Sequence, residues 1–78
     1  MDGKIVDQRL RDIFNIMFPN LSELNENSSS KDILAWDSLR HVMLITEIEN
    51  QFEIKFDLDE MLSMKTFGEI RQNIASKL

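Results

Sequence analysis

The sequence predicts an all-α fold, a small four-helix bundle with a long first connection and a short third helix. Three observations predict it. Apolar residues recur at helical spacing in two long segments, Val6-Leu10-Ile13-Met17 and Leu44-Ile45-Ile48-Phe52, and each stripe marks one helix face. A capping pattern, Thr66-Phe67-Gly68-Glu69, opens a further periodic segment. Strand-like alternation over Ile54, Phe56 and Leu58 has no partner run, and a lone strand makes no sheet.

Helix one is expected over about Lys4 to Phe18. Ile5, Phe14 and Phe18 widen its stripe, and Pro19 ends it, because the residue before a proline is pushed out of the helical region. Residues 19–36 then form a connection that is long for so small a domain, a length that marks a functional or tethered loop. Its most polar part, Asn25 to Ser30, is expected to be mobile. Leu21, Leu24, Ile33 and Leu34 can pin the loop to the core, and Ser30 to Leu34 can form a single helical turn.

Helix two is expected over about Ser38 to Phe52, with Asp37 as its N-cap. Besides its core stripe it carries Leu39, Val42 and Met43, a second apolar patch confined to the serine end. Packing under the long loop is one reading of that patch; a docking spot for a partner is the other. Residues 54–57 read as an extended linker that lays apolar side chains on the core. Asp57 can cap a short helix three, about Leu58 to Met64. Thr66 caps helix four, about Phe67 to Ser76, with Glu69 reaching back and Phe67, Ile70 and Ile74 facing the core.

Size and composition narrow the function. The chain has 78 residues, and a domain of about 60 residues buries only roughly 60% of its unfolded surface, so one thin core is expected and no deep reaction cleft. Hydrophobic residues at 42% and charged residues at 29% fit a soluble globular chain. No cysteine is present, so any thiol chemistry has to arrive on a cofactor. No apolar run approaches the roughly 20 residues of a membrane span. The start, Met1-Asp2-Gly3-Lys4, lacks a signal-peptide core and a myristoylation glycine, so the expected location is cytoplasmic.

The formal net charge of −5 disfavours nucleic acid, whose phosphates need lysine and arginine. The surplus is localised. Residues 37–60 hold seven acids (Asp37, Glu47, Glu49, Glu53, Asp57, Asp59, Glu60) and two bases (Arg40, Lys55); seven minus two is the whole excess. An acidic region that begins at Ser38 suits a basic partner surface, although a solvated helix face has the same pattern.

Asp37-Ser38-Leu39 is the one stretch that suggests chemistry. A serine at the first position of a capped helix meets unpaired N–H groups and the positive end of the helix dipole, a favourable place for a phosphodiester. Plain capping explains the same tripeptide, so the context has to decide. Other candidates are weaker. Asp57-x-Asp59 starts like a calcium loop, but its sixth position is Leu62 rather than glycine and its twelfth is Gly68 rather than glutamate. A Ser38–His41 hydrolytic pair lacks an orienting acid and an obvious pocket; a satisfied, partly buried His41 is the plainer reading. Met17, Met43, Met61 and Met64 can fill core gaps or line an adaptable pocket.

The order of elements, with Leu34-Ala35-Trp36-Asp37-Ser38-Leu39, Glu49-Asn50-Gln51-Phe52-Glu53-Ile54 and Thr66-Phe67-Gly68-Glu69-Ile70, resembles the acyl and peptidyl carrier proteins over roughly residues 5–75. The resemblance implies that a phosphopantetheinyl transferase uses coenzyme A and magnesium to place 4′-phosphopantetheine on Ser38, with Asp37 as helix cap and transferase recognition point. It implies a carrier rather than an enzyme, a monomer whose arm holds an acyl group as a thioester. A ligase or acyltransferase would load it, and synthases or transferases with basic surfaces would dock on Leu39, Arg40, Val42, Met43 and Glu47. Leu44, Ile48, Phe56, Met61, Leu62 and Met64 are the candidates for an acyl pocket. Fatty acid, polyketide and related biosynthesis are the implied settings, with an aminoacyl carrier or an unmodified helical interaction module as alternatives. Two features depart from the family. Ala35 stands where a glycine is usual, and Arg40 and Met43 stand where carriers of fatty acid synthesis usually have acids, which points to a stand-alone carrier for a dedicated pathway.

Overall fold

In a computed structural model, which describes residues 3–19, 21, 23–33 and 35–78, the chain forms four α-helices: α1 Gly3–Met17, α2 Ser38–Phe52, α3 Leu58–Ser63 and α4 Phe67–Lys77. No strand is present among the described residues; the one β feature there is an isolated antiparallel bridge between Ser29 and Thr66. No helix of the described residues is long and apolar enough to cross a membrane.

The stripes read from the sequence form the core. Val6, Leu10, Ile13 and Phe14 of α1 face Leu44, Ile45, Ile48 and Phe52 of α2, with Phe67, Ile70 and Ile74 of α4 completing it. Phe14 lies at the centre of an aromatic cluster, with ring centroids 5.6 Å from Phe18, 5.3 Å from Trp36 and 5.3 Å from Phe67, the last two edge-on. Edge-to-face pairs of this kind add about 0.5–1.5 kcal/mol beyond area burial. Helix α1 stops at Met17, one residue before the expected end, yet Phe18 stays buried and donates its N–H to the Phe14 carbonyl. Two expected core contributors face solvent: Ile5 is half-exposed and Leu58 exposed.

The ends of the helices follow their capping residues. Glu53 closes α2 in the left-handed region at φ 55°, its N–H bonded to the Glu49 carbonyl. Asp57 and Glu60 form a reciprocal capping box on α3 (2.7 and 3.1 Å), and α3 ends at Ser63 because Met64 turns extended. Thr66 caps α4 by accepting the Glu69 N–H at 3.2 Å, but the reach-back expected of Glu69 takes another form. Its carboxylate accepts from the Thr66 hydroxyl at 3.1 Å.

The long connection is fastened to α4 and α1. Phe67 and Gly68 donate their N–H groups to the carbonyls of Ser28 and Glu26, each at 3.0 Å, so the loop supplies partners for orphan donors of α4's first turn. Arg11 donates to the Leu24 carbonyl at 2.9 Å, and Arg71 joins Asp7 of α1 to Glu26 of the loop. The polar segment expected to be mobile is therefore the one most directly tied to α4. Leu34 lies outside the described residues. Over the expected single turn, Ser30 to Leu34, the described residues close one turn on Ser29, with Asp32 and Ile33 donating to its carbonyl at 3.0 Å as i→i−3 and i→i−4 bonds. The Asp32 carboxylate and the Ser29 hydroxyl accept nearby backbone N–H groups, local bonds that compete with helix.

Candidate functional site

Asp37 has extended backbone (φ −98°, ψ −174°), and its carboxylate accepts the Arg40 N–H at 2.8 Å. That bond fixes Ser38 as the first residue of α2, with its side chain exposed. The approach is short and tight: Trp36 donates its N–H to the Ile33 carbonyl and Asp37 to that of Ala35. Ala35 does not need the conformational freedom of the glycine it replaces. Among the described residues Glu53 is the one non-glycine with positive φ.

Beside Ser38 an open groove of about 870 Å³ runs between the loop, α2 and the α3–α4 region. Val42, Met61, Leu62 and Met64 give it apolar walls, while Lys31 and Lys65 bring positive charge. The sequence marks only part of this groove, because residues from four separate segments make it. Of the six residues expected to line an acyl pocket, Met61, Leu62 and Met64 border the groove. Leu44 and Ile48 are fully buried in the core and Phe56 is half-buried against it, so those three do not line the groove.

The docking candidates divide in the same way. Leu39, Val42 and Met43 are 70%, 47% and 47% exposed; the loop does not cover them. Glu47 accepts from Gln51 along the helix at 2.9 Å. Arg40 is turned the other way: its guanidinium donates to the Met17 carbonyl at 3.0 Å, at the end of α1 where a helix favours positive charge. Arg40 therefore joins the start of α2 to the end of α1, a role that its position in the sequence did not suggest.

His41 has both ring nitrogens engaged, with Trp36 Nε1–H at 2.9 Å from Nδ1 and the Met61 carbonyl at 2.8 Å from Nε2. It is thus held away from service as a base for Ser38, and this, rather than any lack of a pocket, argues against a Ser–His hydrolase. Neither Trp36 nor His41 signals this pairing in the sequence, since they lie on different elements and meet only once the loop turns into α2. Lys31 and Lys65 were missed for the same reason. No group of three or more His, Cys, Asp or Glu side chains that could hold a metal occurs among the described residues.

An acyl carrier protein of Exiguobacterium sibiricum is 33% identical over 57 residues, which are 73% of this chain and 72% of that protein. The chain belongs to the acyl carrier protein family. Solved structures of acyl carrier proteins have the same fold. The holo acyl carrier protein of Geobacter metallireducens is 36% identical, with a TM-score of 0.83 over 92% of this chain and 84% of its own. A candidate acyl carrier protein of Mycobacterium tuberculosis, 24% identical, superposes with a TM-score of 0.83 over 91% and 96%. No protein-family model matches the chain. As an acyl carrier protein the chain is a carrier rather than an enzyme.

Proposed function

We propose that Ser38 is the attachment point for 4′-phosphopantetheine, transferred from coenzyme A by a phosphopantetheinyl transferase. The observation that carries this reading is the placement of Ser38: exposed, first in α2, and beside an open groove. The residues present fit such a group. The N–H groups at the start of α2 and the positive end of its dipole suit a phosphodiester, and Lys31 and Lys65 add positive charge along the groove. Val42, Met61 and Leu62 offer apolar surface to the chain beyond the phosphate. When bound, the group supplies the thiol that this cysteine-free chain lacks, on which an acyl cargo is held as a thioester.

The protein's own residues position and present. Asp37 holds Ser38 at the helix start by its bond to Arg40 N–H and stands beside the hydroxyl for a transferase to recognise. Leu39, Val42 and Met43, all exposed, give partners an apolar contact next to the cargo, and Glu47 adds an acid further along the same helix. Loading by a ligase or acyltransferase and unloading by a synthase or transferase with a basic surface complete the cycle, in fatty acid, polyketide or related biosynthesis. Arg40 is committed to α1 and Met43 is apolar where carriers of fatty acid synthesis usually have acids, which supports a carrier dedicated to its own pathway. A monomer in the cytoplasm fits this work.

The absence of cysteine makes the test simple. The purified chain has no thiol; after incubation with coenzyme A, magnesium, a broad-specificity phosphopantetheinyl transferase and removal of small molecules, it should titrate as one thiol per chain. Ser38→Ala should stay thiol-free while keeping its stability within about ±0.5 kcal/mol, as an exposed substitution does. A wild-type chain that stays thiol-free with several transferases would overturn the assignment.

A further inference from the structure

We propose that His41 is a positioning residue that sets the wall of the groove beside Ser38, and that a proton on its Nδ1 releases that wall. The inference concerns the unmodified chain; its bearing on cargo rests on the reading of Ser38 given above.

The hydrogen-bond chemistry admits one arrangement. Indole nitrogen can only donate, so the 2.9 Å contact from Trp36 Nε1 makes His41 Nδ1 an acceptor. A neutral imidazole with a bare Nδ1 carries its hydrogen on Nε2. Nε2 lies 2.8 Å from the Met61 carbonyl, which can only accept. Both contacts are therefore satisfied together by a neutral ring with its hydrogen on Nε2. The ring also lies nearly parallel to the indole, at 22° with centroids 5.9 Å apart. His41 thereby joins three segments: the loop two residues before Ser38, α2 itself, and α3.

A proton added at Nδ1 affects the two contacts unequally. The bond to Met61 persists and gains charge assistance. At Trp36 two N–H groups now face each other. Trp36 is only 3% exposed, so its indole N–H would be left buried without a partner, an expensive state. The indole and the imidazole have to part. Both line the groove, as does Met61, so their separation moves its wall on the loop side while His41 stays with α3.

Other charged groups surround this contact. Along the groove they are Lys31 from the loop, Asp37 at the head of α2, Lys65 from the α3–α4 connection and Glu69 from α4, two bases and two acids; α3 lines the groove with Met61 and Leu62. Arg40, next to His41, is bonded to Met17 of α1, and α1 meets Trp36 through Phe14 and Phe18.

Nitrogen-15 NMR on the unmodified chain decides the matter, in a series that starts at about pH 8 and is lowered until the His41 ring signals report the added proton. At the upper end His41 should show a bare Nδ1 and a protonated Nε2. As His41 takes up its proton, the Trp36 indole N–H should shift upfield and exchange faster with water. The Met61 and Met64 methyl signals should move with the same midpoint. In His41→Gln, which cannot titrate, the Trp36 signal should stay constant over the series. A hydrogen on Nδ1 at the upper end, or an indole signal that ignores His41's titration, would overturn the proposal. So would methyl signals that stay still while the indole moves. Should the glutamine variant not fold, the wild-type series decides alone. A chain whose Ser38 accepts no arm leaves this result untouched, so the two ideas fail separately.

Discussion

Adding one methyl group to Gly68 should weaken the protein, although helix propensity says the opposite. Gly68 is the second residue of α4, and alanine in place of glycine within a helix is worth up to about 1 kcal/mol. A Cβ at this position, however, would lie 3.0 Å from the Glu26 carbonyl oxygen, 3.2 Å from the Glu26 Cβ and 3.4 Å from its Cα. Two of these are backbone atoms, and the same carbonyl accepts the Gly68 N–H at 3.0 Å. Relief requires the loop to retreat by a few tenths of an ångström, which strains the Gly68–Glu26 bond and the neighbouring Phe67–Ser28 bond. Each is worth about 0.5–1.5 kcal/mol net, and crowding adds a further cost of about 1–3 kcal/mol where the surroundings resist. Against a propensity gain of at most about 1 kcal/mol, Gly68→Ala should lose about 0.5–2 kcal/mol. In urea, with a slope near 1 kcal/mol/M for so small a chain, the midpoint should fall by about 0.5–2 M. Gly3 supplies the control: a Cβ there meets nothing within 4 Å, so Gly3→Ala should raise the midpoint or leave it in place, by no more than about 1 kcal/mol. A Gly68→Ala chain as stable as the wild type would show that the loop yields freely, and the tethering argument would fail.

Removing the α2 cap with Asp37→Ala should cost about 1 kcal/mol in urea unfolding, while Asp37→Asn should recover most of it, since asparagine caps nearly as well. Phe14→Ala should lose about 3–5 kcal/mol, a large part of the roughly 5–15 kcal/mol of a whole domain, and circular dichroism should find a substantial unfolded fraction at room temperature. Acid should loosen the junction of α1, α4 and the loop. The Asp7 carboxyl is held below its usual value chiefly by the hydrogen bond from Arg11, then by that from Arg71, against a rise from burial. The folded state thus keeps this carboxylate charged to lower pH than the unfolded chain does. The stability it lends is complete above the ordinary carboxylate range and falls away as the pH drops below about 4 through the depressed folded value. Asp7→Asn should flatten that part of the stability–pH curve.

Much of the fold was legible because each helix is signalled twice, by a stripe and by an end. Helix α2 has both Asp37 and the stripe to Phe52, and it runs between the expected bounds, Ser38 and Phe52. Where only one signal exists the sequence is ambiguous. Ile5 fits α1's period but lies on its outer edge, and Leu58 alternates like a core residue yet sits at the exposed start of α3. The site was legible in part for the same reason: Asp37 and Ser38 are adjacent in the chain, so local rules suffice. Arg40 to Met17 and Gly68 to Glu26 are contacts between residues more than twenty positions apart, and no local pattern encodes them. The capping box of α4 shows the intermediate case. Thr66 caps as its sequence implies, but Glu69 accepts from the Thr66 hydroxyl rather than from its backbone N–H, while the next N–H, that of Phe67, goes to Ser28 of the distant loop.

Trp36 is the chain's one tryptophan, and the chain has no tyrosine. Beyond the weak bands of its phenylalanines, its near-ultraviolet absorption and fluorescence therefore arise at a single place, a buried indole two residues before Ser38, between Phe14, Phe18 and His41. The molecule has in effect been built with a dye at the foot of its serine. An event that disturbs the start of α2, whether a covalent addition to Ser38 or the arrival of a partner poor in tryptophan, can be followed in real time by emission, without any label attached to the protein.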